Sequence, residues 1–140
     1  MDLDHPNIIG FLGGFNQKGH VWAMLEYCFN GDLYDHICAT PNGLPEDEAR
    51  RLFGQLMSAV GYLHSNGVAH LDIKPENILL DNQMSVKLTD FGAAISEATG
   101  YKVKLLPNIK QSKKIIKTSF ELSRPHPLSH SQCYDLFRFF

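Results

Sequence analysis

The residues best equipped for chemistry in this 140-residue chain stand in one stretch, His70-Leu71-Asp72-Ile73-Lys74-Pro75-Glu76-Asn77, with Asp90-Phe91-Gly92 following 13 residues after the Asn. Asp72, Lys74 and Asn77 share a single loop. An amide oxygen from Asn77 and a carboxylate from Asp90 make a hard-oxygen pair suited to Mg²⁺ carrying several waters. Lys74 can neutralise phosphate oxygens as a compact point charge. Asp72 is then left to accept a proton from an attacking hydroxyl. These parts fit phosphoryl transfer, in which catalysis is mostly positioning plus neutralisation of charge.

Such a loop works only if its two ends are held. Val68-Ala69-His70 precedes it, Ile78-Leu79-Leu80 follows it, and Val86-Lys87-Leu88-Thr89 leads into Asp90; each reads as a short strand. Asp81 to Ser85 is the turn that folds the last two into a hairpin, which brings Asp90 beside Asn77. Upstream, Pro45 followed by Glu46, Asp47 and Glu48 opens a helix with negative charge on its first turn. Ala49, Leu52, Phe53, Leu56, Met57, Val60 and Leu63 continue it as one apolar face, and Asn66-Gly67 ends it. Asp32 can cap a short helix running to about Ile37. Before it, the apolar runs Ile8 to Phe15 and His20 to Tyr27, joined by Asn16-Gln17-Lys18-Gly19, predict a hairpin. The fold class is α+β.

Composition divides the chain. Residues 1–94 carry 12 acidic and 5 basic side chains, a net of −7, whereas residues 95–140 carry 3 acidic and 8 basic, a net of +5. Ten of the eleven glycines fall in the first segment and six of the nine serines in the second. The second segment shows no sustained period and reads as a poorly ordered basic tail. The overall net charge of −2 gives no bulk electrostatic case for nucleic acid or a membrane surface. No apolar run approaches the roughly 18–20 residues of a membrane span, and Met1-Asp2-Leu3-Asp4 lacks the features of a signal peptide. Three widely spaced cysteines argue against a disulfide framework or a zinc site. An intracellular setting, cytoplasmic or nuclear, is expected.

H-L-D-I-K-P-E-N followed by D-F-G at this spacing resembles the eukaryotic protein kinases, and Lys74 two positions after Asp72 resembles their serine/threonine class. The resemblance extends upstream: Leu3-Asp4-His5-Pro6-Asn7-Ile8-Ile9 looks like the fourth strand of the small lobe, and Leu25-Glu26-Tyr27-Cys28 looks like the hinge between lobes. Hinge, long helix and loop most resemble the checkpoint kinases within the calmodulin-dependent-like branch. The resemblance implies an incomplete kinase fold over residues 1–94, comprising the fourth and fifth small-lobe strands and the start of the helical large lobe. It implies ATP and Mg²⁺ as cofactors and a protein substrate carrying Ser or Thr. By the same resemblance Asp72 is the catalytic base, Lys74 the phosphate contact, and Asn77 and Asp90 the metal ligands. The backbone of Glu26 and Cys28 would hold adenine, Leu25 would guard the pocket, Asp32 would approach the ribose, and Leu79 would pack beneath the base.

The chain departs from the family pattern at Leu71, where the usual Arg pairs with an activation-loop phosphate; an apolar residue there implies activation without that switch. The Gly-rich loop, the third-strand Lys and the A-P-E segment are not among the 140 residues. ATP-dependent Ser/Thr phosphorylation is therefore expected by family, with this chain weak or inactive on its own. The alternatives are a non-catalytic kinase fragment acting as a binding module, and a truncated product without function.

Overall fold

The structure, a computed structural model, describes residues 3–96. The basic tail, apart from Ile95 and Ser96, lies outside the described residues. Strands β1 (Phe11–Gln17) and β2 (His20–Leu25) form an antiparallel hairpin in which Gln17 faces His20. The connection is therefore only two residues, Lys18 and Gly19, at φ 51° and 76°. Positive φ at both positions gives the turn whose twist matches paired strands, and Gly accepts it without steric penalty. The expected strand beginning at Ile8 is corrected: Ile8 instead bridges in parallel to Leu88, and Ile9 N–H donates to the Leu88 carbonyl at 3.0 Å. Burial of Ile8 and Ile9 in the core holds that segment away from the hairpin.

Helix α1 (Leu33–Ala39) begins at Asp32, whose Oδ1 accepts from Asp35 N–H at 2.8 Å, as the cap reading requires. Helix α2 (Glu46–Ser65) is the longest element. It buries Leu52, Leu56, Ala59 and Leu63, a stripe narrower than the predicted face. Phe53 and Met57 remain 39% and 48% exposed. Gln55 Oε1 accepts from Val86 N–H at 2.8 Å, which ties the helix to the strand pair behind the loop.

Four short strands follow the helix. Strand β3 (Val68–Ala69) leads into the chemistry-bearing loop, and β4 (Ile78–Leu80) leaves it. Strand β5 (Val86–Leu88) pairs with β4 in the register Ile78↔Leu88, Leu79↔Lys87 and Leu80↔Val86. Asp81 Oδ1 accepts from Gln83 and Ser85 N–H at 2.8 and 2.9 Å, which folds the turn between them. Strand β6 (Ile95–Ser96) returns to pair antiparallel with β3. All three residues of β4 are buried, with Val86 and Leu88 of β5, against α2, Ile8 and Ile9. The core therefore lies directly beneath the loop and anchors both of its ends.

Among the described residues no helix is long and apolar enough to cross a membrane. Among the described residues Cys28 carries a free thiol.

Candidate active site

The loop is held by its histidine. His70 is buried, and its ring packs against Phe91 with centroids 4.8 Å apart. Its Nδ1 accepts from Asp72 N–H at 3.3 Å, and its Nε2 lies 2.9 Å from the Thr89 carbonyl. Only the neutral ring with its proton on Nε2 satisfies both neighbours. Burial holds the imidazole pKa below its ordinary value, against the opposing pull of the Thr89 carbonyl. His70 thus clamps the loop to the segment that carries Asp90. Its position in the motif was legible, but this role was not.

After His70 the backbone turns through Leu71 at φ 63°, a left-handed conformation unusual for a leucine, with the side chain pointing to solvent. The turn delivers Asp72 to the surface of the loop. Its carboxylate has two protein partners, Lys74 and Asn77, that the sequence did not reveal. Lys74 Nζ donates to Oδ1 at 2.9 Å and to Oδ2 at 2.8 Å. Lys74 is extended (φ −157°, ψ 160°), so side chains two positions apart emerge on the same side and meet. Asn77 Nδ2 donates to Asp72 Oδ2 and to the Asp72 carbonyl, each at 2.8 Å. Lys74 chiefly, then Asn77, holds the Asp72 carboxyl below the usual carboxylate range, and the Asp72 hydrogen bonds hold the Lys74 ammonium above its own. Asp72 is therefore ionised at neutral pH and able to take a proton. Both side chains are 36% exposed, so the pair is open to solvent and to a substrate.

Asn77 is fully buried at the end of a 3₁₀ turn (Pro75–Asn77). Both bonds to Asp72 use its NH₂ group, since an oxygen there would face two oxygens. That orientation makes Oδ1 the atom with lone pairs to offer a cation. Thr89 N–H donates to the Asn77 carbonyl at 2.9 Å, which extends the β4–β5 ladder by one pair. Asp90 follows immediately at φ 61°, ψ 66°, a left-handed conformation that Asp tolerates. Its Oδ1 caps the next turn through Gly92 N–H at 3.4 Å. A Cβ at residue 92 would approach that oxygen to 3.1 Å, so glycine gives the carboxylate room. The hairpin thus sets Asn77 opposite Thr89, the residue before Asp90.

Among the described residues no group of three His, Cys, Asp or Glu side chains could hold a metal by itself. One amide oxygen and one carboxylate nevertheless fit Mg²⁺, which keeps several waters and takes phosphate oxygens as further ligands. Asp72, Glu76 and Asp90 all act on Lys74, leaving negative charge in excess around the loop. That field favours a divalent cation.

The expected base-binding residues lie on one continuous path. Leu25 ends β2 and packs on the core. Glu26 N–H donates to the Gly10 carbonyl at 2.9 Å. Cys28 also packs on the core, and burial pushes its thiol up to about 11. Asn30 and Gly31 then run beside β4: Asn30 N–H donates to the Leu80 carbonyl at 3.1 Å, Leu80 N–H to the Gly31 carbonyl at 2.9 Å, and Asp32 bridges Leu79. Asp32 and Leu79 are thereby neighbours. The Lys87–Glu26 ion pair at 2.7 Å, absent from the sequence reading, joins β5 to this path. Its one signal was a lysine in the middle of an apolar strand.

A loop carrying Asp, Lys and Asn, clamped by a buried His to a left-handed Asp-Phe-Gly turn, on α+β elements in this order, defines a partial kinase fold. A profile of the protein kinase domain family matches residues 1–123, and the chain belongs to that family. It is similar to the carbon catabolite-derepressing protein kinase of Secale cereale, 50% identical over 92 residues that make up 66% of this chain and 18% of the relative. It is also similar to sperm motility kinase 2B of Mus musculus, 43% identical over 105 residues (75% of this chain, 22% of the relative). CBL-interacting protein kinase 3 of Oryza sativa subsp. japonica is 47% identical over 96 residues (68% and 21%). The chain thus spans about a fifth of the length of these relatives.

Proposed function

We propose that Asp72, Lys74, Asn77 and Asp90 form the phosphoryl-transfer site of a serine/threonine protein kinase that uses Mg·ATP. The observation that carries this reading is the contact set on the loop: Lys74 and Asn77 both bond the Asp72 carboxylate, and Asn77 is laddered to the residue before Asp90. Asp72 accepts the proton of a Ser or Thr hydroxyl as that oxygen bonds to the γ-phosphorus. The bond from the γ-phosphorus to the oxygen bridging the β-phosphate breaks, and ADP leaves. Lys74, already oriented by Asp72, faces the transferred phosphoryl oxygens. Asn77 Oδ1 and Asp90 would hold Mg²⁺, which would neutralise phosphate charge when bound. Adenine would lie along the backbone of Glu26 and Cys28 and over Leu79, with Leu25 guarding the pocket behind it and Asp32 toward the ribose.

Lys74 at two residues after Asp72 supports serine and threonine as acceptors. The Leu25-Glu26-Tyr27-Cys28 hinge supports placement near the checkpoint kinases in the calmodulin-dependent-like branch. The test is transfer from labelled Mg·ATP to Ser, Thr and Tyr peptides by the purified 140-residue chain. The expected result is weak transfer to Ser or Thr that falls to background in Asp72→Asn. Mg·ATP binding without transfer selects the non-catalytic binding module. A chain that neither binds Mg·ATP nor transfers phosphate contradicts the proposal.

A further inference from the structure

Glu26 is the charged residue of the hinge, and its side chain turns inward. Its Oε1 is sealed from solvent and lies 2.7 Å from Lys87 Nζ on β5, off-axis for a hydrogen bond but close enough for a strong ion pair. The Lys87 and Glu26 side chains are 15% and 29% exposed. On its other side Glu26 is hemmed by Gly10, where a Cβ would meet Oε2 at 2.8 Å. The Glu26 N–H donates to the carbonyl of the same glycine. Backbone and side chain therefore fix this residue between the segment ahead of β1 and strand β5.

Lys87 stands directly opposite Leu79 in the β4–β5 register, and opposed residues of an antiparallel pair share a face. Leu79 in turn bridges Asp32. The row Asp32, Leu79, Lys87 thus underlies the path on which the base and ribose are placed above, and Lys87 connects that floor to the hinge. Cys28, two residues beyond Glu26, lies within electrostatic reach of both charges. Without Lys87, the Glu26 carboxylate would be a half-buried charge lacking its partner. It would turn toward water and draw the hinge backbone with it.

We propose that Lys87 is a positioning residue for the base-binding hinge: by holding Glu26 inward, it sets the backbone of Glu26-Tyr27-Cys28 in the orientation that reads adenine. The proposal rests on the Mg·ATP reading above. A structural loss weakens all nucleotides alike, whereas a turned hinge erodes discrimination between bases, so the measurement is the ratio of Mg·ATP to Mg·GTP affinity by calorimetry on the full chain. In Lys87→Met the ratio falls by about tenfold, the scale of one buried polar group left without its partner. Lys87→Arg restores the ratio to within about threefold by keeping the charge. Adding Glu26→Gln to Lys87→Met removes the stranded charge and recovers part of the loss. These two variants keep the test open if Lys87→Met fails to fold. An unchanged ratio in Lys87→Met, or a Lys87→Arg chain as impaired as Lys87→Met, overturns this proposal alone. A wild-type chain that binds no ATP overturns the Mg·ATP reading and this proposal with it.

Discussion

At the scale of single residues, the site is organised by hydrogen bonds that only one protonation state can make. His70 accepts from Asp72 N–H on one nitrogen and meets a carbonyl with the other. Protonation would set two N–H groups against each other while charging a buried ring. Because its folded pKa lies below the ordinary value near 6.5, the folded state takes up fewer protons than the unfolded chain. The stability it contributes is present above pH ~6.5 and is lost as pH falls below it. Urea unfolding between pH 5 and 8 checks this: wild type weakens toward pH 5, and His70→Phe, which keeps an aromatic ring but cannot titrate, loses that slope. His70→Phe is also less stable at pH 8 by about 1–3 kcal/mol, since the Thr89 carbonyl and the Asp72 N–H lose their partner. Equal slopes in the two chains would contradict the account. Residue identities and spacing were enough to name Asp72, Lys74, Asn77 and Asp90. The contacts among them were not legible, because they depend on the extended Lys74 and the left-handed turns at Leu71 and Asp90.

At the scale of elements, the helix and the β4–β5 hairpin were legible because each carries local signals: an acidic helix start, an apolar period, and an Asp-Asn turn. The width of the helix's buried face was not. Phe53 and Met57 obey the same periodicity as Leu56 and Leu63 yet stay exposed, since the elements packed on α2 cover only the Leu52-Leu56-Ala59-Leu63 stripe. Substitution separates the two sets. Leu63→Ala lowers stability by about 2–5 kcal/mol, whereas Met57→Ala changes it by about 0.5 kcal/mol or less. Thermal melts of the two variants check this, and equal losses would show that the apolar face is buried as broadly as its period suggests. Capping is a second element-scale test. Asp32→Ala removes the acceptor for Asp35 N–H and lowers stability by about 1 kcal/mol, read by urea unfolding. Asp32→Asn retains the cap oxygen and most of that stability.

At the scale of the whole molecule, burial is uneven. The core gathers around α2, β4 and β5 and takes in Ile8 and Ile9, while the β1–β2 hairpin leaves Phe11, Leu12, Phe15, Val21, Trp22 and Met24 exposed. A two-stranded unit with so little burial opens independently of the core. Native-state hydrogen exchange is therefore expected to show hairpin amides exchanging by local opening and β4–β5 amides only by global unfolding. Uniform protection would contradict that division. This unevenness was only half legible. The hairpin could be read from its turn and apolar runs, but the anchoring of Ile8 on Leu88 is a long-range pairing with no local signal. The kinase motifs were read as far as residue 94, and the family match reaches residue 123. The central claim is that Asn77 and Asp90 hold the metal of bound ATP. Its most direct test replaces Mg²⁺ with paramagnetic Mn²⁺ in the presence of ATP and follows the backbone amide signals of the labelled chain. The account predicts that signals of residues 72–77 and 90–92 broaden first, while those of the acidic helix start, Glu46 to Glu48, stay sharp. Broadening centred on Glu46 to Glu48, or none near Asn77 and Asp90, would contradict it.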